Sequence, residues 1–112
     1  MVADVTPTAR SLKYLRDLGF HAYVVERWNP YANVRQDFGG FADIIAFRAD
    51  QRGVLAVQAT TGDNVAHRAA KLQNLDVIHA FKLGGNLLVI HGWAKQGARG
   101  KRKVWTLREV WL

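Results

Sequence analysis

Two apolar runs separated by a short polar turn restrict how the middle of this chain can fold. FADIIAF, residues 41 to 47, and VLAVQAT, residues 54 to 60, both read as strands, and only RADQRG lies between them. A link of six residues joins antiparallel neighbours, because a parallel crossover needs a dozen or more. After the second run, Thr61-Gly62-Asp63 turns the chain, and Asp63 is placed to cap a helix over NVAHRAAKL, residues 64 to 72. A second helical stretch, roughly 74 to 82, ends at Gly84-Gly85. Together these helices supply a crossover to a further strand, NLLVIHGW, residues 86 to 93.

The flanks complete the pattern. Thr6-Pro7 opens a helix, with Thr6 as N-cap and Pro7 at the first helical position. Leu12, Leu15 and Leu18 recur at helical spacing beside Tyr14, with Arg10, Lys13, Arg16 and Asp17 outward, and Gly19 ends the helix. HAYVVERW, residues 21 to 28, reads as the first strand, and WNPYANVRQDFGG as a loop. KVWTLREVW, residues 103 to 111, reads as the last strand. The order α-β-β-β-α-β-β predicts one α/β domain over residues 1–112, a mixed central sheet of about five strands flanked by helices.

Composition narrows the function classes. The chain has 112 residues and no cysteine, which rules out disulfides and thiolate metal sites. Its longest apolar runs fall well short of the ~20 residues of a membrane helix. MVADVTPTAR lacks the apolar core of a secretory leader, so an intracellular, cytoplasmic location is the expectation. A formal charge of +7 points to an anionic partner, nucleic acid first. KQGARGKRK, residues 95 to 103, carries Lys95, Arg99, Lys101, Arg102 and Lys103 with no acid. It reads as a basic hairpin loop able to grip phosphates, or as an ordinary solvated loop.

The residues with chemistry gather around the central strands. Asp43 opens the first apolar run after Gly39-Gly40, while Gln58 and Thr60 share one face of the second. If the two strands pair, all three converge at one end of the sheet. Asn64, His67, Arg68 and Lys71 form one polar helix face. Each feature also has a plain structural reading: a turn cap for Asp43, polar strand-end positions for Gln58 and Thr60, and a wet helix face. His21, His67, His79 and His91 show no zinc-binding spacing, and His91 reads as a satisfied strand residue. Trp28, Trp93, Trp105 and Trp111 read as core or interface rather than base-stacking platforms.

Gly40-Phe41-Ala42-Asp43-Ile44-Ile45 followed by Ala56-Val57-Gln58-Ala59-Thr60 resembles the PD-(D/E)xK nuclease superfamily. In that family an Asp opens one strand and an acid-x-Lys lies on the next. The order of elements over roughly residues 8 to 93 is most similar to small phage and archaeal Holliday-junction resolvases and virus-type replication-repair nucleases. The resemblance implies a restriction-endonuclease-like core (α-β-β-β-α-β) and a Mg²⁺- or Mn²⁺-dependent endonuclease that hydrolyses DNA, branched DNA included, as a homodimer. It implies metal ligation by Asp43, Gln58 and the Ala59 backbone carbonyl. The sequence departs from the motif twice, with Gln58 in place of the acid and Thr60 in place of the Lys. Glu26 or Asp37 would then supply the second negative charge, and Lys71 or Thr60 would orient the attacking water. Arg35, His67, Arg68, Lys71 and the basic loop would hold phosphates. The alternative is the same fold with a silent site that binds nucleic acid without cutting. A third reading is a nuclease fold used for assembly or inhibition, with protein partners.

Overall fold

A computed structural model describes residues 5–112. Met1 to Asp4, the start of the segment read as lacking a secretory leader, lie outside the described residues. Helix α1, Pro7–Asp17, precedes strands β1 His21–Val24, β2 Arg27–Asn29, β3 Val34–Gln36, β4 Ile44–Phe47 and β5 Leu55–Thr61. A 3-10 turn, Gly62–Asn64, leads into α2, Val65–Leu72, and α3, Asp76–Leu83. The chain closes with β6, Leu87–Gln96, and β7, Val104–Trp111. Five strands form one mixed sheet in the order β1-β4-β5-β6-β7, and β2 and β3 form a separate two-stranded ribbon. Only β5 and β6 pair in parallel, across the α2–α3 crossover, and the other neighbours are antiparallel. No helix among the described residues is long and apolar enough to cross a membrane.

Alternation along the strands builds two cores, one on each face of the sheet. Leu15 of α1 covers Ala22, Ile44, Ala46, Leu55, Val57 and Val89. On the other face Ala56, Leu88 and Ile90 pack with Val65, Leu72, Ile78 and Phe41. Gly92 lets α2 lie close: a Cβ there would come within 2.1 Å of a Val65 methyl. Thr6 caps α1 as expected, its Oγ1 accepting from the Ala9 N–H at 3.1 Å. Gly19 follows the helix at φ +90°, a conformation glycine adopts without steric cost.

Three local expectations change. The run read as one strand over 21–28 breaks after Val24, and its second half pairs with Val34–Gln36 inside the stretch read as loop. The two halves belong to different sheets because the Val25 N–H already bonds the Asp43 carbonyl, at 2.9 Å, at the end of the β1–β4 ladder. Asp63 does not cap α2: its carboxylate accepts from the Thr61 hydroxyl at 2.6 Å, and the chain winds a 3-10 turn first. Strand β6 runs to Gln96, so Lys95 lies on a strand and the basic loop is the shorter 97–103. Among the tryptophans, Trp93 is buried, whereas Trp28, Trp105 and Trp111 are exposed.

Candidate active site

Asp43 stands where β4 parts from β5. Its N–H donates to the Val57 carbonyl at 2.9 Å, and its Oδ2 accepts from the Ala59 N–H at 2.8 Å. The carboxylate thus takes a ladder position that a backbone carbonyl would otherwise fill. The bond runs to the neighbouring strand rather than within a turn, and it aims the carboxylate along the end of β5. Asp43 is only 8% exposed.

The surrounding cleft, about 300 Å³, is lined by Thr8, Glu26, Arg35, Asp37, Asp43, Ala59 and Arg68. Thr8 comes from the first turn of α1 and Arg68 from α2. Glu26 sits at the break between β1 and β2, and Asp37 follows β3. Four separate parts of the chain, the β1–β2 break, β3, the start of β4 and α2, therefore bring three carboxylates and two guanidiniums to one place. Glu26 is tied by an ion pair to Arg35 at 3.0 Å. Burial raises the Asp43 carboxyl most strongly, the Ala59 N–H opposes it, and the charges of Glu26 and Asp37 with a Glu26 hydrogen bond raise it further. The outcome is a value of about 7 against an ordinary 3.8. Asp43 is accordingly held partly protonated near neutrality, beside the Glu26 carboxyl group.

The remaining sequence candidates fall elsewhere. Gln58 is 2% exposed and turned inward, its Nε2 donating to the Phe41 carbonyl at 3.3 Å. Its Oε1 is buried without a partner. Thr60 is buried too, and neither side chain lines the cleft. His67 and Lys71 are exposed on α2 and do not line the cleft. The basic loop 97–103 projects beyond β6 from the same end of the sheet as Ala59, because β5 and β6 run in parallel and β6 extends further. At its base the Arg10 guanidinium lies 3.8 Å from the centroid of Trp105, and Lys95 lies 5.5 Å from that centroid.

For a metal, the donor chemistry of the cleft is oxygen only, which suits a hard cation such as Mg²⁺. Among the described residues, no three His, Asp or Glu side chains are grouped to hold an ion. A hard cation held there would take Asp43 and Glu26 as its protein ligands and water in the remaining positions, as Mg²⁺ commonly accepts.

Sequence reasoning missed one polar cluster. His91, fully buried, has its Nδ1 2.8 Å from the Ser11 hydroxyl, which also accepts from the Trp93 indole N–H at 2.9 Å. The Ser11 hydroxyl thus bridges the His91 and Trp93 rings, and His91 Nε2 lies 3.6 Å from the Glu109 carboxylate. Desolvation lowers His91 to about 4. Ser11 is fully buried, so the trio locks α1 to β6 rather than presenting a nucleophile. Ser11 and His91 are 80 positions apart, and only the register of the folded sheet brings them together.

No family model, curated protein or solved structure matches this chain.

Proposed function

We propose that the protein is a metal-dependent endonuclease acting on DNA, with Asp43 and Glu26 holding the cation and Arg35 and Arg68 holding phosphate. The observation that carries this reading is the carboxyl pair itself. Two carboxyl groups pressed together in a half-closed cleft repel when both ionise, and a divalent cation relieves that repulsion. The flanking guanidiniums suit the phosphate that such a cation would polarise. When bound, Mg²⁺ supplies Lewis-acid polarisation and a more acidic water. The chain's own part is positional. The Ala59 N–H fixes Asp43, Arg35 fixes Glu26, and Arg68 and Thr8 border the path a phosphate would take. A charge of +7 and a basic loop at the same end of the sheet add sequence-independent attraction for a polyanion.

A second reading has its own support. Gln58 and Thr60, which replace the acid and lysine of the resembled motif, are both buried away from the cleft. This favours a nuclease fold that binds nucleic acid without cutting it. Cleavage assays separate the two readings. Labelled four-way junction, flap, duplex and single-stranded DNA would be incubated in Mg²⁺, Mn²⁺ and EDTA with the wild type and Asp43→Asn. Metal-dependent cutting that Asp43→Asn lowers at least a hundredfold is the expected result. Tight binding with no cutting in either metal would establish the silent module instead.

A further inference from the structure

The β2–β3 ribbon carries features that its own fold does not require. Tyr31 at its tip is 99% exposed, and Trp28 is 55% exposed. Yet the tip is firmly built. The Asn29 side-chain oxygen accepts from the N–H groups of Tyr31 and Ala32 at 3.0 and 3.2 Å, and its amide donates to Gln36 at 3.2 Å. Asn33 completes the turn at φ 54°, a conformation that asparagine tolerates better than most residues. Tyr31 is thus held out into water on a fixed support, although burying such a ring is ordinarily favourable.

Beside it lies a hollow of about 280 Å³ lined by Arg27, Trp28, Asn29, Pro30, Tyr31 and Gln36. The residues along it are two aromatics, a proline, an arginine and two amides, with the Tyr31 ring projecting free beside it. Flat apolar faces rimmed by hydrogen-bonding groups match the chemistry of a nucleobase. The hollow is also connected. A larger groove of about 720 Å³ shares Arg27 and Gln36 with it, and shares Arg35 and Asp37 with the carboxylate cleft. One strand can therefore run from the cleft to the ribbon without leaving the surface, passing Arg35 and Arg27 on the way.

From this continuity we propose that the ribbon hollow receives an unpaired base of the DNA bound at the cleft, stacked on Tyr31 and Trp28. The inference rests on the nucleic-acid reading above and specifies what the site selects. A base inside an intact duplex is stacked on its neighbours and cannot enter, so the ribbon favours gapped or branched DNA over fully paired DNA. Of the two places expected from sequence for Trp28, core or interface, the core is ruled out for this ring, which is more than half exposed.

The test is binding in EDTA, where no cutting intervenes. Fluorescence anisotropy would compare a duplex containing a short single-stranded gap with a fully paired duplex of equal length. The gap would carry 2-aminopurine, whose emission falls when it stacks. The wild type should prefer the gapped DNA by roughly tenfold, the range expected for one base stacked on an aromatic side chain, and should quench the probe. Tyr31→Ala and Trp28→Ala should each reduce the preference and the quenching, leave duplex affinity within about twofold, and leave the sedimentation coefficient unchanged. Tyr31→Trp should restore both signals. Equal affinity of the wild type for both DNAs would overturn the role of the ribbon while leaving the nucleic-acid reading intact. The same holds if Tyr31→Ala keeps its preference, or if it converts a dimer to a monomer, which would make a second copy the occupant. Failure of the wild type to bind either DNA would remove both readings together.

Discussion

Asp43 is the residue on which structure and chemistry meet. Its identity was legible in sequence because an acid directly after a glycine pair, at the head of a strand due for burial, demands a partner. Arg35, Arg68, Glu26 and Asp37 were legible as candidates for similar reasons, and the fold brings all four to the same cleft. Gln58 was only half legible. Alternation along β5 fixes which face its side chain takes, but not what covers that face, and Phe41 folds over it from the Gly39-Gly40 turn. The raised Asp43 has a consequence for metal binding. A carboxyl held at about 7 is roughly half protonated at neutral pH, and a cation must displace that proton. Titration calorimetry with Mg²⁺ at pH 7, in buffers of different ionisation enthalpy, should report release of about half a proton per chain. The release should diminish above pH 8 and vanish in Asp43→Asn. Binding without proton release at pH 7 would place the cation away from Asp43.

At the scale of elements, what could be read depended on length and contact range. The strands at 41–47 and 54–60 and the crossover helices announced themselves through long apolar periodicity. The β2–β3 ribbon did not, because each strand has three residues, too few for alternation to register, and Asn29-Pro30 signals a loop more loudly than a hairpin. Nor did the packing of α2 on β6, which hangs on a single absent side chain. A methyl group at Gly92 would overlap Val65 at 2.1 Å, and Val65 begins the helix that carries Arg68 into the cleft. Gly92→Ala should therefore push the start of α2 off the sheet and cost about 1–3 kcal/mol, the usual penalty for overpacking. Chemical denaturation would measure that loss. DNA affinity should fall as well, because Arg68 moves with the helix. Val65→Ala combined with Gly92→Ala should recover part of both. If Gly92→Ala alone leaves stability and affinity unchanged, the close approach of α2 is not what positions Arg68.

On the scale of the whole molecule, the two perturbed groups act in opposite directions. His91 pairs across β5 and β6 with Ala59, which holds Asp43, yet neither group contributes to the other's shift, so their contributions should nearly add. The folded state holds Asp43 at about 7 against 3.8. Between those values it binds more protons than the unfolded chain does, so its contribution to stability falls as pH rises. His91 is held at about 4 against 6.5. Across that interval the unfolded chain binds more protons, so its contribution rises with pH. At about 1.4 kcal/mol per pH unit, the interval amounts to about 4 kcal/mol for Asp43 and about 3 kcal/mol for His91. Between pH 4.5 and 6.5 the slopes nearly cancel, and these two groups leave the wild-type profile close to flat. Asp43→Asn keeps an oxygen for the Ala59 N–H while removing one titration. Its stability should therefore climb by about 2 kcal/mol over that range and exceed the wild type's at pH 8. His91→Gln, whose amide can still hydrogen-bond Ser11, should show the reverse slope. Urea denaturation of the three proteins at half-unit pH steps would resolve this. If the wild type and Asp43→Asn gave parallel profiles, Asp43 would be titrating near its ordinary value, and the crowded carboxyl pair behind the proposed cation site would lose its support.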